Sequence, residues 1–337
     1  MSTQEPSLPF FLTQNTGFAQ IKPEDELLHP DSFKDLKDDA AIETQYFGFS
    51  VPEARIHGCC YLRHHPNLNI VMGGLFVYQG VKATTVHAEL CDFWNFMSDR
   101  SIKKNDLHEY RFDNGYGVKI LEPLKRMHIT YDDAKRQNSV NLIAEAVQPA
   151  VMFGDGNHFE QTMRMTGELV LRGQRYEVDC FDMRDRSWGK GRPETSMTLP
   201  PVAWMCGTFN KDFAFNCSML DQASGNPLLK GELALDDDKA LKGGWVYRDG
   251  KLGRIVRARK RVNRDRLSLA SVGIELQFTD EHGREFDMRG TLVAACPRQS
   301  WSNVWLVFNY MRWECDGLVG YGDSQDGFWG DYLQLVD

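Results

Sequence analysis

The chain has 337 residues, 42% hydrophobic, 12% aromatic and 26% charged, with a net charge of −8. These values suit a globular protein of one large or two medium domains. The acidic balance argues against a nucleic-acid partner, which needs a basic face.

Residues 1–40 are polar and punctuated by Pro and Asp, so an extended lead-in with short helical turns is expected. The opening "MSTQEPSLPFFLTQ" has neither the basic nor the apolar region of a signal peptide. No stretch approaches the ~20 apolar residues of a membrane helix. The eight cysteines include no C-x-x-C pair, so reduced thiols in a cytoplasmic protein are expected.

His57, His64 and His65 come next. Adjacent residues of a strand point to opposite faces, so His64 and His65 do not readily chelate one ion, and no metal site is expected. The stretch 84–102, "TTVHAELCDFWNFMSDRSI", fits helix or strand. Beyond it, period-2 runs about Gly-bearing turns mark antiparallel hairpins. Examples are "MTGELVLRGQRYEVDCF", "WVYRDGKLGRIV" with its Asp249-Gly250 turn, and "SVGIELQFTDEHGREFDMRGTLVAA". In the last, Val272, Ile274, Leu276 and Phe278 share a face, and Phe286, Met288 and Leu292 return. The basic run "GRIVRARKRVNRDR" (253–266) alternates as a strand with a solvated outer face.

No strand–helix alternation appears, which disfavours parallel α/β folds and leaves a closed or nearly closed all-β architecture. The halves "GVKILEPLKRMHITYDDAKRQNSVNLIAEAV" and "GRIVRARKRVNRDRLSLASVGIELQFTDEHG" follow similar courses. Two similar β-barrels are therefore expected, over 41–190 and 203–337. The Pro-, Ser- and Thr-rich "KGRPETSMTLPP" joins them.

No dinucleotide or phosphate loop, nucleophile elbow or zinc-protease motif is present. The strongest constellation is bipartite. "GDGNHFEQTMRMTGE" offers His158, Glu160, Gln161 and Arg164, with His158 and Glu160 two apart on one strand face. "MRDRSWG" offers Asp185, Arg186, Ser187 and Trp188 about 25 residues later. If the hairpin between them folds back, an imidazole and two carboxylates meet, a group suited to proton transfer. Arg186 would anchor an anion or hold Asp185 ionised, and Trp188 would wall an apolar pocket. A purely structural turn, with Trp188 as a plug and Arg186 paired to Asp185, explains the same residues equally well. The C-terminal "NYMRWECDGLVGYGDSQDGFWGDYL" gives Tyr310, Arg312, Trp313, Glu314, Tyr321, Asp323, Gln325 and Trp329. Most read as packing, with Tyr310, Arg312 and Glu314 as further candidates for a ligand cavity.

"HFEQTMRMTGELVLRGQRYEVDCFDMRDRSWG" resembles the central signature of a bacterial two-domain family of unassigned activity. That family is similar to the carotenoid hydratase and AttH-like superfamily. "PEDELLHP", "NGYGVKILEPLKRMHITYDD" and "NYMRWECDGLVGYGDSQ" extend the resemblance over most of the chain. Ser187 stands where the superfamily often has an acidic residue, and Gln325 where Glu is expected.

The resemblance implies two consecutive lipocalin-like antiparallel β-barrels with a hydrophobic small molecule bound near their junction. It implies no cofactor, and by position it gives Asp185 the proton-donor role. The expected enzyme is a lyase or hydratase acting on an aromatic, steroid or terpenoid molecule; loss of formaldehyde from a lignin-derived dimer is one specific case. The expected catalytic residues are Asp185, His158 and Glu160, with Arg186, Trp188, Tyr310 and Arg312 binding substrate. An isomerase or cyclase, or a carrier that returns its ligand unchanged, is the alternative. No nucleic acid and no membrane span are expected; a homodimer is left open.

Overall fold

The computed structural model describes residues 17–36, 40–191, 197–301 and 303–336. Antiparallel strands form two sheets. In the first, Leu90–Ser98, Ile70–Gln79, Ile56–His65 and Ala41–Val51 lead to the long strand Gln174–Gly191. His158–Leu171, Asn138–Ala146, Arg126–Asp133, Gly117–Glu122 and Glu109–Arg111 continue the same sheet. The short pair Phe18–Ala19 and Val151–Phe153 attaches beside His158–Leu171. The second sheet runs in sequence from Val202–Asn210 to Leu318–Trp329, and these two strands pair to close an eight-stranded barrel.

The turns follow their sequences. Leu171 pairs with Gln174 across Arg172-Gly173, and Arg248 with Lys251 across Asp249-Gly250. All four turn residues have positive φ, as a two-residue hairpin of matching twist requires. The stretch that fitted helix or strand is both: Leu90–Ser98 is a strand and Arg100–Lys104 one short helix. The basic run lies in the strand Lys251–Arg264, with Arg257, Arg259 and Arg261 exposed.

Two expectations are modified. The first sheet is curled and open in its hydrogen bonding, whereas the second is a closed barrel. Val272 leaves the face of Ile274, Leu276 and Phe278 and is exposed, because the register slips beside it. Asn263 pairs with Gly273 and Arg264 with Ser271, so Val272 is the extra residue of a bulge. The central part of the expected join, 192–196, lies outside the described residues.

Three of the apolar clusters position the site. Phe47, Leu62, Ile129 and Met165 fill the curl of the first sheet. Phe215, Leu276, Met311 and Trp313 fill the barrel. Tyr46, Phe76 and Tyr78 of the first sheet meet Phe308 and Tyr310 of the barrel in a third cluster, which makes the boundary between the sheets a packed core.

A candidate active site between the two sheets

Directly paired residues of an antiparallel sheet present their side chains to the same face. The register therefore builds two rows across four strands. One holds Tyr61, Tyr46, Asp185 and Glu160; the next holds Arg63, Thr44, Ser187 and His158. This face meets the barrel around a cavity with about 140 Å³ of water-accessible space. Tyr61, Phe76, Phe93, Trp204, Trp301 and Phe308 contribute aromatic wall. Asp185, His158, Tyr46, Cys59, Arg63 and Arg298 contribute polar groups.

Glu160 is fully buried behind this wall. Its Oε1 accepts from Trp204 Nε1 at 2.6 Å and its Oε2 from Trp245 Nε1 at 2.7 Å. Both indoles belong to barrel strands, so one carboxylate ties the sheets together. Oε1 also lies 3.3 Å from His158 Nε2, which orients the imidazole on the cavity edge. The hairpin thus brings Asp185, His158 and Glu160 to one face, with the first two on the cavity.

The four expected substrate contacts lie elsewhere. Arg186 follows Asp185 along the strand and so faces the opposite side. There it is buried, donating to Glu43 at 2.8 Å and to the Leu27 carbonyl at 2.5 Å. Trp188 packs with Phe33, Met152 and Phe159, under the His29 ring at 3.9 Å. Tyr310 is buried, its hydroxyl donating to Ser50 Oγ at 2.8 Å and its ring stacked on His57. Arg312 is partly exposed beside Glu314. The lead-in supplies the missing counter-charge for this hidden face: Glu26 binds Arg184 through both oxygens at 2.9 and 2.6 Å.

A second polar cluster lies at the boundary of the sheets. His57 Nε2 is 3.0 Å from Asp323 Oδ1 and 3.4 Å from Asp182 Oδ2, with all three side chains fully buried. Tyr46, which lines the cavity, donates to Asp323 Oδ2 at 2.5 Å. Gly48 makes room, because a Cβ there would lie 2.3 Å from Asp182 Oδ1. Burial opposes charge on His57, but Asp323, Cys59 and Asp182 together outweigh it and hold the imidazole well above its ordinary range. Burial also acts to raise Asp323, yet the His57 charge together with the hydrogen bonds from Tyr46 and Gln325 brings it below the usual carboxylate range. At Asp182 burial prevails and the carboxyl is raised. Burial, then the Asp323 charge, keeps the Tyr46 phenol protonated.

His57, Cys59 and Asp323 have ligand-type atoms within 4.8 Å of one another, a geometry that can hold a metal ion. His57 Nδ1, Cys59 Sγ and Asp323 Oδ2 have protein hydrogen-bond partners, whereas His57 Nε2 and Asp323 Oδ1 face each other as a charge pair. Asp323 was within reach of the sequence as one of many C-terminal candidates. Asp182, Tyr46 and the two indoles were not, because their partners come from strands far apart in the chain.

A family model described as a domain of unknown function, DUF7064, matches residues 22–327. The chain belongs to that family. No curated protein matches it by sequence. Among solved structures it is similar to an AttH-type protein from Nitrosomonas europaea, at 11% identity and TM-score 0.62, covering 94% of this chain and 98% of that one. It is also similar to CghA, at 10% identity and TM-score 0.55, covering 86% and 88% of the two chains. Kievitone hydratase from Nectria haematococca is 8% identical with TM-score 0.50, covering 95% and 96%. At these identities the likeness shows the fold, and it is the AttH-like, lipocalin-like fold that the central signature implied.

Proposed function

We propose that this chain is a hydratase or lyase that works by acid–base chemistry on an apolar small molecule held between the sheets. The observation that carries the reading is that Asp185 and His158 both border one aromatic-walled cavity while Glu160 holds His158 from behind. In the hydration direction, Asp185 in its protonated form gives its proton to one carbon of a substrate double bond. Water adds to the other carbon, whose developing positive charge faces aromatic rings. His158 takes the proton that the water releases. The elimination direction runs the same steps backwards, with Asp185 as base. Glu160 acts through His158 and is a positioning residue.

One structural neighbour is named a kievitone hydratase, and another, CghA, has been solved with Sch210972, which is compatible with small-molecule chemistry on this fold. Lignin-derived dimers, steroids and terpenoids form the first panel of substrates to try. The test is incubation in deuterated water followed by mass spectrometry. Deuterium incorporation with gain or loss of water, or release of formaldehyde, is expected, and Asp185→Asn should remove it. An Asp185→Asn protein that keeps full turnover overturns the reading. A bound ligand returned unchanged by the wild-type protein makes it a carrier instead.

A further inference from the structure

The cavity holds a cation that the proton-transfer chemistry does not use. Arg298 lines it on the strand Glu285–Trp301. Its guanidinium carbon sits 3.8 Å from the centroid of Phe93 and 5.4 Å from that of Phe76. Among the described residues, no carboxylate lies within ion-pair distance of it, and it lies over these two ring faces. Arg63, the other guanidinium in the wall, differs: it donates to the Ser300 carbonyl at 3.2 Å and lies against Met72 Sδ. Among the described residues, the remaining buried or half-buried arginines have counter-charges, as with Arg184 and Glu26, Arg186 and Glu43, and Arg264 and Asp221.

A guanidinium taken largely out of water without a carboxylate is costly, and an incoming anion offsets that cost. Burial pulls Arg298 below its ordinary value, and thiols and a phenol are the nearby groups acting in the other direction. Its fork of N–H donors matches a carboxylate in two-point contact. The surrounding walls are aromatic, and a space of about 150 Å³ takes one benzene-sized ring, so the space found here seats the reacting ring of a larger molecule whose remainder extends beyond it. We propose that the cavity selects an aromatic molecule bearing one carboxylate, with Arg298 as its anchor. This names the substrate class of the proposed active site and rests on that cavity being a ligand site.

The test compares phenylacetate with phenylacetamide, which share shape and differ in charge. Calorimetry on the full chain, with quenching of the cavity tryptophans as a second readout, should show phenylacetate binding at least tenfold tighter. Arg298→Leu should abolish the difference, and Arg298→Lys should keep part of it. Equal binding of the two probes, no saturable binding of either, or a preference that survives Arg298→Leu overturns the proposal. Should Arg298→Leu fail to fold, a crystal structure of the wild-type protein with 4-bromophenylacetate decides. Bromine signal in the cavity with the carboxylate on Arg298 supports the anchor, and a carboxylate placed elsewhere overturns it. The two readings fail separately: lost anion preference with Asp185-dependent turnover sinks the anchor alone. Retained preference with full turnover in Asp185→Asn sinks the acid–base reading alone.

Discussion

Glu160 and Asp185 stand directly opposite each other on paired strands, yet they serve different ends. Asp185 borders the cavity, while Glu160 is sealed beneath two indole N–H groups contributed by the barrel. An amide in place of the Glu160 carboxylate cannot accept from both indoles, because its nitrogen is a donor. Glu160→Gln should therefore leave one buried donor unsatisfied and cost about 1–3 kcal/mol. Urea denaturation followed by tryptophan fluorescence measures this. If His158 is positioned by Glu160, the variant's kcat should fall more than its KM rises. Unchanged stability would show that the carboxylate is not the tie between the sheets.

The sequence showed the hairpins because alternation and positive-φ turn residues are local signals. It also offered the meeting of His158, Glu160 and Asp185 on the condition that the hairpin between them folded back, and a strand pair folding back on itself needs no information from elsewhere. The substrate roles given to Arg186 and Trp188 went astray on the same alternation. Asp185 on the cavity face puts Arg186 on the other. Their partners were not legible: Arg184 is matched by Glu26 in the lead-in, 158 residues away. The His57 cluster draws Asp182 and Asp323 from two further strands, and no local pattern marks a residue for a neighbour that distant. Arg298 was hidden in an alternating strand, where an inward arginine looks like any outward one.

The buried pairing around Asp221 should dominate one region of the barrel. Asp221 binds Arg264 through both oxygens at 2.5 and 3.0 Å and lies 2.9 Å from Lys260 Nζ. Burial opposes its charge, but the two cations hold its carboxyl far below the ordinary range. Asp221→Ala strands Lys260 and leaves Arg264 only Asp326, at 3.5 Å, and should cost about 3–5 kcal/mol, seen as a lower urea midpoint. Double replacement of Asp221 and Lys260 by Ala and Met should recover part of the loss. A single variant within experimental error of wild type would contradict the pairing.

Acid should attack the first sheet at Glu43. Its carboxylate is bound by Arg186 at 2.8 Å and by His29 at 2.9 Å. Burial works to raise it, yet Arg186 and then the two histidines bring its pKa to about 2, from 4.5. A depressed folded-state pKa means that the stabilisation is present above the unfolded value and is lost as pH falls from about 4.5 toward 2. The shift corresponds to roughly 3 kcal/mol at most. Wild-type stability should therefore fall across that window, and Glu43→Gln, less stable at pH 7, should fall less steeply. Parallel curves for the two proteins would remove Glu43 as the cause.

At His57 the sign is opposite. Tyr78 gives its hydroxyl proton to the Phe308 carbonyl at 3.1 Å, so its oxygen accepts from His57 Nδ1 at 3.2 Å. Nε2 lies 3.0 Å from Asp323 Oδ1, within charge-pairing distance though not aligned as a hydrogen bond, and the Asp323 charge favours the ring with a proton on each nitrogen. The imidazolium should persist at pH 7.5, where nitrogen NMR of labelled histidine would show one doubly protonated ring. Because the folded value lies above the ordinary 6.5, this stabilisation is complete below that pH. It is lost as pH rises through the folded value. His57→Gln leaves Asp323 and Asp182 facing each other without the cation and should cost about 3–5 kcal/mol. Asp182→Asn should be milder, since burial already favours a proton on that carboxyl. A neutral His57 ring at pH 7.5, or an Asp182→Asn protein less stable than His57→Gln, would reverse the assignment of charge within the cluster.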